Sequence, residues 1–182
     1  MKNIELKLEL RDPKLAADIA RHLGGSDWGV LQQTDTYFRT LSGRLKRRET
    51  LGWRGGASVE YIEYERPDRA VPRASSFQIY PEKLFLERFG TLPRQTECVV
   101  VKSRHLFVIR GTRIHIDRVE SLGTFLEIEV SVVGKESPAY ERLANIREQF
   151  SLALGQPLAA GYADLVQKAA AGRTDRPTGD TQ

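Results

Sequence analysis

Gly43-Arg44-Leu45-Lys46-Arg47-Arg48-Glu49 is the stretch on which the reading of this chain turns. A β-strand sends alternate side chains to opposite faces. Read as a strand, the stretch stands Arg44, Lys46 and Arg48 in one row and turns Leu45 and Arg47 the other way. Three cations in file repel one another unless water or an anion compensates them. A solvated edge strand would tolerate the row, because edge strands carry charge to discourage pairing. Other segments, however, repeat the same division into one apolar and one ionic face.

Upstream, residues 3–11 alternate: Ile4, Leu6, Leu8 and Leu10 on one face, Glu5, Lys7, Glu9 and Arg11 on the other. Asp12-Pro13 reads as the cap and first residue of a helix with an apolar stripe of Leu15, Ile19 and Leu23, ended by Gly24-Gly25. Residues 30–40 form a second strand that carries Asp35, and Ser42-Gly43 turns it into the basic strand. Downstream, strands are expected at residues 59–66 and 75–80, and a loop with Arg69 and Arg73 lies between them. A short helix over 81–89 stops at Gly90. Residues 96–104 make a strand with a basic end, Lys102 and Arg104, and separate strands follow at 105–110 and 112–118. In the last of these Arg113, His115 and Asp117 alternate with Ile114 and Ile116. In residues 125–133 Glu127 and Glu129 alternate with Leu126, Ile128 and Val130. Helices over 138–154 and from about Tyr162 to Ala171 complete the pattern.

Eight or nine short antiparallel strands tend to curl or close. Since strands and helices each have one apolar face, the economical arrangement is an α+β fold: a barrel with helices packed on its apolar outside. The ionic faces then point inward, which is costly unless the charges are paired and wet. Pairing is available. Glu5, Asp35, Asp117, Glu127 and Glu129 stand against Lys7, Arg44, Lys46, Arg48, Lys102, Arg104 and Arg113. A wet tunnel of this kind suits a strongly anionic ligand with hard divalent cations on the carboxylates, such as a triphosphate with magnesium or manganese. An ionic core with no ligand is the structural alternative.

Composition narrows the class. The chain has 182 residues, enough for one well-buried domain, expected over residues 1–170, with a disordered tail at 171–182 rich in Thr, Asp, Gly and Pro. No apolar run approaches the roughly 18 residues of a membrane span. The charged start, Met-Lys-Asn-Ile-Glu, lacks the apolar region of a signal peptide. A single cysteine, Cys98, excludes an internal disulfide framework and any thiol-only zinc site. A cytoplasmic protein follows as the expectation. The net charge of +4 hints at an anionic partner, but acids and bases are interleaved on shared strand faces. A nucleic-acid binder would instead gather its cations on an open face with aromatic platforms.

Taken in order, the motifs resemble the CYTH superfamily, the triphosphate tunnel metalloenzymes. Asn3-Ile4-Glu5-Leu6-Lys7 is similar to the family's Glu-x-Glu-x-Lys signature, with asparagine in place of the first glutamate. Asp35 follows, then Arg44-Leu45-Lys46-Arg47-Arg48 as the Arg-x-Lys-x-Arg strand. Lys102-Ser103-Arg104, Arg113 with Asp117, and Gly123 to Glu129 resemble the later steps. At Tyr64-Glu65-Arg66-Pro67 many members place a lysine, and here Glu65 or Arg66 stands instead.

The resemblance implies an eight-stranded antiparallel tunnel. It implies Lys7, Arg44, Lys46, Arg48, Lys102, Arg104 and Arg113 as substrate ligands. Beside the resemblance, Arg73 in the loop is a further candidate phosphate ligand, and Lys7 and Arg48 are the candidate catalytic residues. By the same resemblance, Glu5, Asp117, Glu127 and Glu129 would hold Mg2+ or Mn2+. The partner expected is a small-molecule triphosphate (tripolyphosphate, a nucleoside triphosphate or thiamine triphosphate), in a monomer or a homodimer, with no nucleic acid and no membrane. Hydrolysis of a phosphoanhydride bond is the first reading of the activity. Adenylyl cyclisation, with pyrophosphate leaving, is the alternative, and a non-catalytic polyphosphate-binding module is the third.

Overall fold

The computed structural model describes residues 1–53, 55–91 and 94–174. Nine strands form one sheet: β1 (Lys2–Leu10), β2 (Ser26–Phe38), β3 (Arg44–Trp53), β4 (Gly56–Glu65), β5 (Arg73–Pro81), β6 (Thr96–Ile109), β7 (Thr112–Val119), β8 (Gly123–Ser131) and β9 (Leu154–Pro157). The order is β5-β4-β3-β2-β6-β7-β8-β1-β9, every pairing is antiparallel, and β1 also pairs β5. That contact closes the first eight strands into a barrel. β1 gives the start of one edge to β5 (Asn3 opposite Ser75) and its end to β9 (Leu10 opposite Leu154).

The alternation read in the sequence is the inside–outside division of this barrel. Ile4, Leu6, Leu8 and Leu10 of β1 face outward, into a core with Phe107 and Ile109 of β6, Ile114 and Ile116 of β7, and Leu126, Ile128 and Val130 of β8. Helix α1 (Pro13–His22) covers them with Ala16, Ala17 and Ala20, and α3 (Ser137–Gln149) with Ala139 and Leu143. Each leucine or isoleucine fully buried this way contributes about 1.5–3 kcal/mol. Asp12 caps α1 as its spacing implies, accepting from the Leu15 amide at 2.9 Å, with Pro13 in the first turn. On β4 and β5 the outer face is covered by α2 (Glu82–Phe89), where Phe85 stacks on Tyr61 at 3.9 Å between ring centres.

Two turns fix the register of inward residues. Gly43 sits at φ 64° before the basic strand, and the β6–β7 hairpin turns on Arg110 (φ 48°) and Gly111 (φ 77°), the positive pair that a two-residue hairpin demands. Three expectations differ from the structure. The strands expected at 96–104 and 105–110 are one strand, because β2 pairs along nearly its whole length, from Thr96 to Val108. Helix α3 stops at Gln149 rather than 154, and the chain then turns through Ser151–Ala153 into β9. The last helix, α4 (Tyr162–Thr174), continues past Ala171 into the stretch expected to be disordered. The rest of that tail, residues 175–182, lies outside the described residues. Among the described residues no helix is long and apolar enough to cross a membrane.

Candidate active site in the tunnel

The inward faces enclose a cavity of about 660 Å³. Glu5 and Lys7 of β1, Lys46 and Arg48 of β3, Lys102 and Arg104 of β6, Arg113 and His115 of β7, and Glu127 and Glu129 of β8 all line it. These charges gather into two groups.

Around Asp35, fully buried on β2, Arg48 closes a two-pronged contact at 2.6 and 2.8 Å. Lys102 at 2.7 Å and Lys46 at 3.1 Å join the same carboxylate. The cross-strand register makes this unavoidable, since Asp35 lies opposite Arg48 and Tyr37 opposite Lys46. One anion thus faces three cations. Burial would raise the Asp35 pKa, but Arg48, Lys102 and Lys46 hold it well below the usual carboxylate range. The lysines show the other side of that imbalance. Burial, and then the charge of Arg48, pushes Lys46 down to about 8, even against the pull of Asp35. Burial drives Lys102 well below its ordinary value too, with Arg48 and Arg104 adding to it against Asp35.

On the opposite wall the charges balance. Lys7 donates to Glu127 Oε1 at 2.6 Å, and Arg104 reaches Glu127 Oε2 at 2.9 Å. Arg104 also holds Asp117 through two bonds, at 2.7 and 2.6 Å, and Arg113 donates to Glu129 at 2.7 and 3.0 Å. His115 Nδ1 lies 3.3 Å from Glu127 and 3.8 Å from Glu129. Burial opposes ionisation of Glu127, but Lys7, His115 and Arg104 together hold its pKa well below the ordinary value.

His115, Glu127 and Glu129 offer ligand atoms within 4.8 Å of one another, which fits a divalent cation. All four carboxylates expected to bind metal are ion-paired; Glu127 and Glu129 come together with His115, and the other two lie outside that cluster. Glu5 accepts from Arg66 at 2.8 Å and from Arg73 at 3.4 Å, while Asp117 is gripped by Arg104 and by the Tyr162 hydroxyl at 2.9 Å. Asn3 does not offer its carbonyl oxygen to the cavity either. In the orientation that satisfies its neighbours, that oxygen accepts from Arg113 at 2.8 Å.

Two expected phosphate ligands are placed elsewhere. Arg73 is buried outside the lining, and its guanidinium clamps the main-chain carbonyls of Arg69, Leu158 and Ala159. Arg44, at the end of its row, leaves the tunnel and pairs with Asp68 at 2.8 Å and Asp164 at 3.4 Å. Strand tilt explains it: the row that holds Lys46 and Arg48 inside reaches the barrel's edge one step earlier. Two residues not assigned from the sequence join the site. Arg66 lines the cavity, its Nε buried and without a partner among the described residues. Tyr162 of α4 sets its ring 3.7 Å from the Lys7 ammonium. Arg66, just before Pro67, was legible only as one of two residues, with Glu65, that stand where many members place a lysine, and Tyr162, on a helix outside the strand pattern, carried no signal.

A closed antiparallel tunnel with an ionic lining and helices outside defines the triphosphate-tunnel class of fold. The chain belongs to the CYTH family: the model of the CYTH domain matches residues 1–155. Among curated proteins none matches the sequence. Solved structures share the fold at low identity. The PH1012 protein of Pyrococcus horikoshii OT3 has a TM-score of 0.72 at 21% identity, over 90% of this chain and 98% of that one. A candidate adenylate cyclase of Vibrio parahaemolyticus has a TM-score of 0.70 at 18% identity, over 91% and 97%. The S. pombe Pct1 RNA triphosphatase has a TM-score of 0.50 at 13% identity, over 85% of each chain.

Proposed function

We propose that this chain is a divalent-metal-dependent enzyme that binds a triphosphate in the tunnel and hydrolyses one of its phosphoanhydride bonds. The observation that carries the reading is the cation surplus around Asp35: Lys46, Arg48 and Lys102 share one carboxylate inside a cavity. A folded protein gains nothing from two uncompensated buried cations, whereas a polyanion entering the cavity would be drawn to them. The buried Nε of Arg66 adds a donor that has no partner among the described residues.

In this reading Lys46, Arg48, Lys102 and Arg66 neutralise the phosphate oxygens, and Lys7 and Arg104 keep Glu127 ionised. Glu127, Glu129 and His115 hold Mg2+ or Mn2+, which when bound supplies further charge neutralisation at the phosphoryl oxygens. Phosphoryl transfer asks mainly for positioning and electrostatic stabilisation, which a rigid ionic tunnel provides. The same cage would serve attack by a ribose hydroxyl on the α-phosphate. That second reading is favoured by the apolar side chains at one end of the cavity. Incubation of purified protein with tripolyphosphate, ATP and thiamine triphosphate, with each metal, separates the readings. Phosphate or pyrophosphate without cyclic product supports hydrolysis, cyclic AMP supports cyclisation, and no metal-dependent product from any of them overturns both.

A further inference from the structure

Of the two lysines on Asp35, Lys46 is held more loosely and opens further onto the cavity. Asp35 Oδ2 takes three donors: Lys102 at 2.7 Å, Arg48 Nη2 at 2.8 Å and Lys46 at 3.1 Å. The Lys46 side chain is 11% exposed, against 1% for Lys102. Around its amine stand Asp35 and Tyr37 of β2, Arg48 of its own strand, Glu60 and Tyr64 of β4, and Lys102 and Arg104 of β6. The two tyrosines present their rings, at 5.5 and 5.7 Å from the Lys46 nitrogen. Arg104 is taken by Asp117 and Glu127. Glu60 lies opposite Arg48 in register but forms no ion pair with a described residue.

Three cations thus crowd one carboxylate, and the cation with the weakest hold is a primary amine facing a cavity. Such a group gains by becoming an anion, because buried charges are tolerated when they are paired. One small reagent converts a primary amine to an anion in water, and that is carbon dioxide. The reaction needs the neutral amine. Burial and the charge of Arg48 bring Lys46 to about 8, so the neutral form is available at neutral to mildly alkaline pH.

We propose that Lys46 is a carbon dioxide acceptor, its amine forming a carbamate that balances the buried cations when no polyanion occupies the tunnel. The Nζ lone pair attacks the carbon of CO2 and an N–C bond forms. One C=O electron pair moves onto oxygen, and an amine proton leaves to water. The net change is R–NH2 + CO2 → R–NH–COO− + H+, with no oxidant or reductant. Lys46 passes from cation to anion. The carbamate and Asp35 then face Arg48 and Lys102, charge for charge. A consequence rests on the triphosphate reading above: substrate and carbon dioxide compete for the same cations.

The test is carbon NMR of the full chain under isotopically labelled CO2 at fixed partial pressure, for the unmodified protein, Lys46→Arg and Lys46→Met. A carbamate resonance, separate from bicarbonate and dissolved CO2, should appear in the unmodified protein and grow as pH rises through about 8. It should be lost in both variants. Arginine keeps the cation but stays protonated and forms no carbamate, so Lys46→Arg decides even if Lys46→Met does not fold. Alkylation of the carbamate oxygen with triethyloxonium, followed by peptide mass spectrometry, should place the modification on Lys46. The Met1 α-amine can give a second signal, which both variants would keep. Absence of any signal that depends on Lys46 overturns the inference and leaves the triphosphate reading standing. Saturating tripolyphosphate should cut the Lys46 signal at least about tenfold, and by reciprocity CO2 should weaken tripolyphosphate binding. A Lys46 carbamate that tripolyphosphate leaves undiminished would support the inference and count against the triphosphate reading.

Discussion

The two walls of the tunnel hold similar residues in opposite states. On the Asp35 wall three cations share one carboxylate, and two lysines sit below their ordinary pKa. On the Glu127 wall Lys7, Arg104 and Arg113 meet Glu127, Asp117 and Glu129, and the carboxylates sit below theirs. A balanced buried network stabilises its own ions. An unbalanced one waits for a counterion from outside. Under the function proposed above, the surplus cations are the groups that meet the phosphates and the balanced wall holds the metal cluster, and each set can be broken by a single substitution.

The largest effect is expected at Asp35. Asp35→Asn leaves Lys46, Arg48 and Lys102 facing one another without an anion, and breaking a buried pair costs about 3–5 kcal/mol. Urea unfolding should show a loss of that size, partly recovered by tripolyphosphate, which binds the folded state and replaces the missing charge. A loss below about 0.5 kcal/mol, within the range of ordinary surface changes, would mean that the cations are not held by Asp35. Glu127→Gln comes next. It should abolish metal-dependent turnover and also destabilise, by about 3 kcal/mol, because Lys7 and Arg104 lose a buried partner. The same wall sets the acid limit. Its carboxylates are depressed in the folded state, so the stability they contribute is present above the unfolded carboxylate range of about 4 and is lost as pH falls below it. Glu127→Gln should flatten that acid limb, and an unaltered limb would take Glu127 out of the network.

Much of this division was legible in the sequence because a strand's period of two converts charge order directly into a face. Ile4-Glu5-Leu6-Lys7 and Leu126-Glu127-Ile128-Glu129 needed only a closed sheet to become wall and lining. The alternation says which face a side chain takes, and nothing about how far along the tunnel it lies. Strand tilt moved Arg44 to the edge and put Arg73 against main-chain carbonyls instead of phosphate. Partner choice was equally hidden. Glu5 and Asp117 share the inward phase of Glu127, but Glu5 pairs with Arg66, and Asp117 with Arg104 and Tyr162, outside the cluster of His115, Glu127 and Glu129. β9 was missed because Leu154-Gly155-Gln156-Pro157 is too short to alternate, while Phe150 and Leu154 sit four apart and extend a helical stripe.

Lys46→Met is the smallest of these changes and the sharpest test of the imbalance. If Lys46 only balances Asp35, methionine strands a buried acid and the protein loses stability. The structure predicts the reverse, because Arg48 and Lys102 remain on Asp35 and one repulsion disappears. The pH dependence gives the sign. The ordinary lysine value is 10.5, and burial with Arg48 brings Lys46 to about 8 in the folded chain. Between those values the unfolded chain binds the proton and the folded chain does not, so the Lys46 contribution to stability rises with pH across that window. Below pH 8 the folded state carries the full cost of the charge. At pH 7, then, Lys46→Met should be more stable than the unmodified protein by up to about 3 kcal/mol, since a tenfold change in proton affinity is worth about 1.4 kcal/mol. The gap should close as pH climbs towards 10.5, other titrating groups being common to both proteins. Tripolyphosphate affinity at pH 7 should fall about tenfold in the variant, near 1.4 kcal/mol. Urea unfolding of both proteins at about pH 7 and pH 9.5, with and without tripolyphosphate, reads all three effects. A variant that is less stable at pH 7, by an amount that pH does not change, would make Lys46 a structural partner of Asp35 and the two walls alike.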